Sequence, residues 1–248
     1  MAAEGRFGKN ASALARCRFS LTLTAVKLPR EVPVMTLANA TLFPQALLPL
    51  YIFEPRYRRM LQDVLDSTRM FCVAMQQPGS SRERPLPVAG LGMVRVCVGH
   101  KDKTSHLILQ GVARVELEET VRYKPYRVQR VRPLTTPPCN SAAADALLAR
   151  VRELIQERFT LGLPFPFLTK EISENNHHPP PVSAKEVISY IDSIPSPEQA
   201  VDLVSCAVLP GAEQRQSILE ALDVETRLRK LIKFMVREIQ MHRKGRNA

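Results

Sequence analysis

The 248-residue sequence predicts an α+β fold, in which a small β-barrel or sandwich with one early helix precedes a C-terminal helical bundle. Three observations predict it. Up to about Leu134 the apolar residues recur mainly with the two-residue period of strands. A proline-rich stretch, Arg132–Ser141 (RPLTTPPCNS), then changes the composition. Beyond it the period becomes helical. The expected organisation is a basic leader over 1–30, a β domain over 31–134, a linker over 135–141, a helical subdomain over 142–242 and a basic tail over 243–248.

Leu28–Leu37 (LPREVPVMTL) is short, β-rich and proline-punctuated, which suits a strand at a sheet edge. The stretch TLFPQALLPLYIFEPRYRRML (Thr41–Leu61) follows, and it hands a strand over to a helix. From Pro55 the apolar positions are Tyr57, Met60, Leu61, Val64 and Leu65, one stripe of an amphipathic helix with proline in its first turn. Met70–Met75 (MFCVAM) reads as a buried strand, and Gln76–Pro87 as a polar loop. In Gly90–Val98 the residues Val94, Val96 and Val98 share one face. In Leu107–Leu117 the residues Ala113, Val115 and Leu117 alternate with Arg114 and Glu116, so both arginine and glutamate are expected on the wet face. Tyr126–Val131 is a further strand.

In the second half Leu147, Val151, Leu154 and Ile155 form one helical stripe. Gly162–Pro181 is a long loop bearing prolines and histidines. Ser183 with Glu186 is a capping box, and Ser196 with Gln199 repeats the pattern with Pro197 between them. A last helix is expected over about Gln214–Met241. Its buried stripe includes Leu222, Leu228 and Leu231, and its polar face includes Arg227, Lys230 and Arg237.

Composition limits the function classes. The net charge is +11, but six basic residues lie within the first 30 and three more at Arg243, Lys244 and Arg246. The body between them is only mildly basic. Tryptophan is absent and aromatics make up 6%, which argues against a base-stacking platform. The five cysteines are far apart with no C-x-x-C pair, a usage that fits a reducing cytoplasm. No apolar run approaches the roughly 18 residues that read as a membrane span, so no membrane partner is expected.

No phosphate loop, dinucleotide fingerprint or nucleophile elbow is present, and no cofactor is expected. Gly90-Leu91-Gly92 reads as structural. His177 and His178 are adjacent, so on an extended chain they point to opposite sides and cannot readily chelate one metal. His100 and His106 flank a charged turn with only Asp102 near them. Cys72 and Cys97 lie in apolar β-runs, where a free cysteine behaves as a small hydrophobe. The residues therefore nominate no catalytic group and no metal site.

The order VPVMTLANATLFPQALLPLYIFEPRYRRML, MFCVAM, VAGLGMVRVCV, LILQGVARVEL resembles the N-terminal domain of Lon proteases. Gly111 and Arg114 match that family's later glycine/arginine strand. The segment DLVSCAVLPGAEQRQSILEALDVETRLRKLIKFMVREI (Asp202–Ile239) resembles its helical part, with Leu222-Asp223-Val224 ahead of Arg227-Leu228. The resemblance runs from about Val32 to Ile239 and implies a PUA-like β-barrel followed by a helical bundle. It does not extend to the ATPase and serine-lysine peptidase modules of full Lon proteases, so no catalytic residue is carried over. What it implies is a stand-alone, non-enzymatic module of protein quality control. Such a module binds unfolded or tagged polypeptide as adaptor or regulator of a separate protease.

An apolar groove or sheet edge would serve that role. The residues expected to contact peptide are Phe43, Pro44, Tyr51, Phe53 and Tyr57, helped by Met35 or Met60, while Leu47, Leu50 and Ile52 are expected in the core. Two readings compete from other classes. One is an RNA-binding protein using the barrel and the basic termini, with affinity that falls steeply with salt. The other is a hydrolase whose catalytic groups converge from remote positions.

Overall fold

The computed structural model describes residues 28–80, 83–163, 165 and 183–246. In chain order it contains β1 (Glu31–Leu37), β2 (Leu47–Ile52), α1 (Pro55–Leu65), β3 (Met70–Met75), β4 (Val88–Gly99), β5 (Ser105–Arg122) and β6 (Val128–Pro133). Five helices follow: α2 (Ser141–Thr160), α3 (Ala184–Asp192), α4 (Pro197–Val208), α5 (Ala212–Glu220) and α6 (Val224–Arg246). The first 27 residues, and most of the loop that carries His177 and His178, lie outside the described residues.

The strands run β2-β5-β4-β3-β1-β6, and β6 returns to pair with β5. Five strands therefore close into a hydrogen-bonded ring. The length of β5 makes this possible, because Ser105–Gln110 pairs with β2 whereas Val115–Arg122 pairs with β6. Among the described residues β2 pairs with β5 alone, and so forms an edge outside the ring. β1 and β3 are parallel and the remaining pairs antiparallel. All six residues of β3 are buried, as its unbroken apolar run requires. On α1 the expected stripe of Tyr57, Met60, Leu61 and Val64 faces the sheet core, with Pro55 in the first turn.

Between β1 and β2 the chain crosses over β4 and β5 so closely that two glycines are obligatory. A Cβ on Gly90 would lie 2.0 Å from the Leu42 carbonyl oxygen, and one on Gly111 would lie 1.9 Å from that of Phe43. The crossing is pinned by Gln45 N–H to Gly111 O and Gly111 N–H to Ala46 O, both 2.9 Å. Gly90 of the GLG sequence is thus a seat for backbone, whereas Gly92 makes room for the Leu109 and Leu42 side chains. The loop turns Phe43 and Ala46 away from the sheet core and into the apolar cluster of the helical half, which also holds Val151, Leu154, Val204 and Leu228.

Among the helices, the Ser183–Glu186 capping box forms with both reciprocal bonds. The second expected box does not: the Ser196 side chain makes no cap hydrogen bond, and Pro197 alone starts α4. The single last helix expected over Gln214–Met241 is broken in two. Ala221 is extended, and Asp223 opens α6 by accepting the Thr226 N–H at 2.7 Å. Leu222, expected on the buried stripe, is exposed at the break.

The break frees backbone carbonyls, and two buried arginines take them up. Arg114 of β5 donates to Leu219 O and Ala221 O at 3.1 and 2.7 Å. Arg227 of α6 donates to Leu222 O at 3.0 Å. Both also reach Thr136 Oγ1 at 2.8 Å, and Arg227 pairs with Asp202 at 2.9 Å and Glu198 at 3.0 Å. These two arginines, expected on wet faces, are buried because the break places unpaired acceptors there. Further along the same junction Arg215 donates to Leu209 O and to Thr41 Oγ1, so sheet and helices are joined by polar contacts at both ends.

Candidate functional site

The free edge strand β2 opens one face of the sheet to solvent. Register places Pro49, Ile108 and Val96 in one cross-strand row and Tyr51, His106 and Val98 in the next. Alternation turns Leu50, Ile52, Leu107 and Leu109 inward toward the core. The outward rows line a shallow groove of about 380 Å³. Its apolar members are unusually accessible: Val96 and Val98 are each 53% exposed, Tyr51 49% and, beyond it, Phe53 58%. Contiguous exposed apolar surface of this kind marks interaction sites more often than isolated exposed residues do.

A chain of rings crosses this face. Phe53 stacks on Tyr51 with centroids 5.8 Å apart, and Tyr51 stacks on His106 at 4.7 Å. His106 meets His100 edge to face at 4.9 Å, with His106 Nδ1 and His100 Nε2 sharing a hydrogen bond of 2.7 Å. Such rings offer large contact area at low cost in side-chain entropy. The turn beyond them is fixed by Asp102, which accepts from the Thr104 hydroxyl at 2.7 Å and its N–H at 3.0 Å. Those bonds hold the Asp102 carboxyl below its ordinary range. At the other end Arg95 donates to Gln110 at 2.6 Å.

The structure sorts the five expected contact residues into three groups. Phe43 is wholly buried in the helical core and Pro44 is half-buried. Tyr57 is buried under Arg56, and its hydroxyl is hydrogen-bonded to Thr36, accepting from the N–H at 3.2 Å. Only Tyr51 and Phe53 present their rings to solvent. Met35 and Met60 are core residues, so neither can help a ligand surface. Leu47, expected in the core, is exposed because β2 alternates with Leu48, Leu50 and Ile52 turned inward.

Sequence reasoning missed Val96, Val98, His106 and Ile108. Val94, Val96 and Val98 read as sharing one face, yet Val94 is buried while Val96 and Val98 are exposed. The register slips between Val94–Leu109 and Val96–Ile108, so Arg95 is an extra residue and the valines after it flip outward. Nothing in VRVCV marks that bulge. Elsewhere the Cys72 thiol is fully enclosed, and burial pushes its pKa far up, the opposite of an activated nucleophile.

Residues 31–237 match the model of the ATP-dependent protease La (LON) substrate-binding domain. The chain belongs to this family. Among curated relatives, the Lon protease of Desulfosudis oleivorans is 23% identical over 229 residues, covering 90% of this chain and 26% of that protein. The Lon protease of Methylocella silvestris is 26% identical over 214 residues, 85% of this chain and 24% of its own length. The chain thus spans about a quarter of the length of the Lon proteases it matches.

Solved structures agree on the fold. The N-terminal domain of Mycobacterium avium complex Lon protease superposes with a TM-score of 0.60 at 18% identity, covering 83% of this chain and 98% of that one. The Lon N-terminal domain protein from Xanthomonas campestris has a TM-score of 0.51, also at 18% identity and the same coverage. The strands-then-helices arrangement expected from the sequence is therefore that of Lon N-terminal domains.

Proposed function

We propose that this Lon-type substrate-binding domain captures unfolded or tagged polypeptide on the outer face of β2, β5 and β4, and does not itself cut it. The observation that carries the reading is the exposed ring series Phe53–Tyr51–His106 beside Val96 and Val98, on a domain whose family is defined by substrate binding. Such a surface suits side chains of many shapes, as an unfolded client demands. Pro49 lies inside the edge strand and has no N–H to offer a new β-partner, which favours capture on the face over strand addition along the edge. The domain would deliver clients to proteolysis as adaptor or regulator of a protease. A cytoplasmic setting is part of this reading, supported by the free thiols of Cys72, Cys97, Cys139 and Cys206.

A photo-crosslinking amino acid at Val98 should label a reduced, unfolded client protein and leave its folded form unlabelled. The same probe at Arg130, on the exposed side of β6, should label neither. Equal labelling from both positions would remove the groove as the capture site.

A further inference from the structure

Resting on the capture reading, we propose that the groove selects apolar or aromatic segments that are flanked by acidic residues. The rim supplies the argument. Arg95 stands at one end, held by the uncharged Gln110 side chain. At the other end the tight turn from His100 to Thr104 carries Lys101 and Lys103, both exposed, and Lys103 is locked with φ 65° by its N–H bond to His100 O. Arg58 of α1 reaches the same turn, donating to Asp102 O at 3.4 Å.

Among the described residues, no carboxylate lies within ion-pair distance of these four cations, whereas Arg56, Arg59, Arg130 and Arg132 are all paired. The one acid in the turn, Asp102, stays ionised but is turned onto the Thr104 hydroxyl and N–H, so Lys101, Lys103 and Arg58 leave this end with a net charge of +2. His100 and His106 are hydrogen-bonded to each other and bring no carboxylate to this end. The apolar floor is thus bounded at both ends by net positive charge, carried by cations that have no ion-pair partner among the described residues. A segment whose apolar side chains fill the floor, and whose flanks carry aspartate or glutamate, supplies the missing partners. Lysine-flanked segments meet repulsion instead.

The test measures fluorescence anisotropy with two labelled peptides that share one Phe-Leu-Phe-Val core. One has Asp-Asp at both ends and the other Lys-Lys. At low ionic strength the acidic peptide is expected to bind about tenfold more tightly, with the gap closing near 0.5 M NaCl, where the Debye length is only about 4 Å. The double variant Lys101→Glu/Lys103→Glu is expected to abolish or invert the preference. Lys233→Glu/Arg237→Glu, the same charge change on the remote surface of α6, is expected to preserve it. Equal binding of both peptides overturns the selectivity and leaves capture intact. A remote variant that shifts the preference as much as the rim variant assigns the effect to overall charge, and also overturns it. If neither peptide binds to protein with native far-UV circular dichroism, while a scrambled apolar client also fails, the capture reading falls as well.

Discussion

Arg114 Nη1 donates to the carbonyl oxygen of Ala221 at 2.7 Å across 107 positions of sequence. A strand side chain thereby closes the end of a helix in the other half of the molecule. Because Arg114 also holds Leu219 O and Thr136, and stands 3.8 Å from Glu198, it couples the ring of strands to the turn between α5 and α6. Burial lowers its pKa against the help of Asp202 and Glu198, a sign of how little water reaches it.

Replacing Arg114 with methionine keeps the stem and removes the fork. The carbonyls of Leu219 and Ala221 are then left unsatisfied and Glu198 loses a neighbour, which should cost about 3–5 kcal/mol. Arg114→Lys should recover only part of this, since one ammonium cannot reproduce the planar fork. Urea unfolding followed by circular dichroism decides it. A loss below about 1 kcal/mol for the methionine variant would show that the junction does not depend on this contact.

Much of this fold can be read from the residues, and the failures have a common physical origin. The α1 stripe from Tyr57 to Val64, the buried strand MFCVAM and the Ser183–Glu186 box depend on neighbours close in sequence, and all three form as expected. Arg114 and Arg227 read as surface residues because their acceptors are carbonyls freed by a helix break, which local periodicity does not contain. The groove was half legible: Tyr51 and Phe53 stand out as aromatic residues on a short strand. Val96 and Val98 do not, because the bulge at Arg95 exists only in the pairing with β5. Phe43 lies in the same stretch as Tyr51, but the crossing over Gly90 and Gly111 sends it into the helical core, a tertiary contact that local sequence does not contain.

The crossing yields its own prediction. In Gly111→Ala the new methyl would sit 1.9 Å from the Phe43 carbonyl oxygen, which is backbone and cannot swing aside. The loop must move, taking Phe43 with it, at an expected cost of about 3 kcal/mol or more. Gly99→Ala is the control, because its nearest neighbour is Ser105 Oγ at 3.9 Å, and it should change stability by less than about 1 kcal/mol. Thermal melts of the two variants should separate clearly. Equal melting temperatures would mean that the loop is looser than the close approach implies.

Asp202 should give stability a specific pH dependence. Burial pushes its carboxyl up from 3.8 to about 6, against the pull of Arg227. The folded protein therefore takes up this proton before the unfolded chain does. The resulting stabilisation is fully present below the unfolded value and is lost as pH rises through about 6. Between pH 7 and pH 5 the wild type should gain about 1 kcal/mol relative to Asp202→Asn. Glu198, whose carboxyl is held low by Thr136 and Arg227 despite its burial, works in the opposite direction only once pH falls below its ordinary 4.5. Denaturation midpoints of both proteins across that window test the sign. A difference that stays flat or reverses would refute the assignment.

Binding and stability should separate between two residues of the same short stretch. Phe43 is enclosed among helical side chains, so Phe43→Ala removes packing and leaves a cavity, at about 3–5 kcal/mol of stability. It touches no part of the groove, and whatever fraction remains folded should bind an unfolded client with unchanged affinity. Tyr51 stacks between Phe53 and His106 on the exposed face, so Tyr51→Ser breaks the ring series at its centre. That change should weaken client binding about tenfold or more while shifting stability by only about 0.5–1 kcal/mol. Val96→Asp should reinforce it, because it sets a carboxylate in the middle of the apolar floor with no partner within the row. Calorimetric titration with a permanently unfolded protein, on samples whose melting curves are recorded in parallel, measures both quantities. If Tyr51→Ser and Val96→Asp bind as the wild type does, the exposed face of β2, β5 and β4 is not where polypeptide is held.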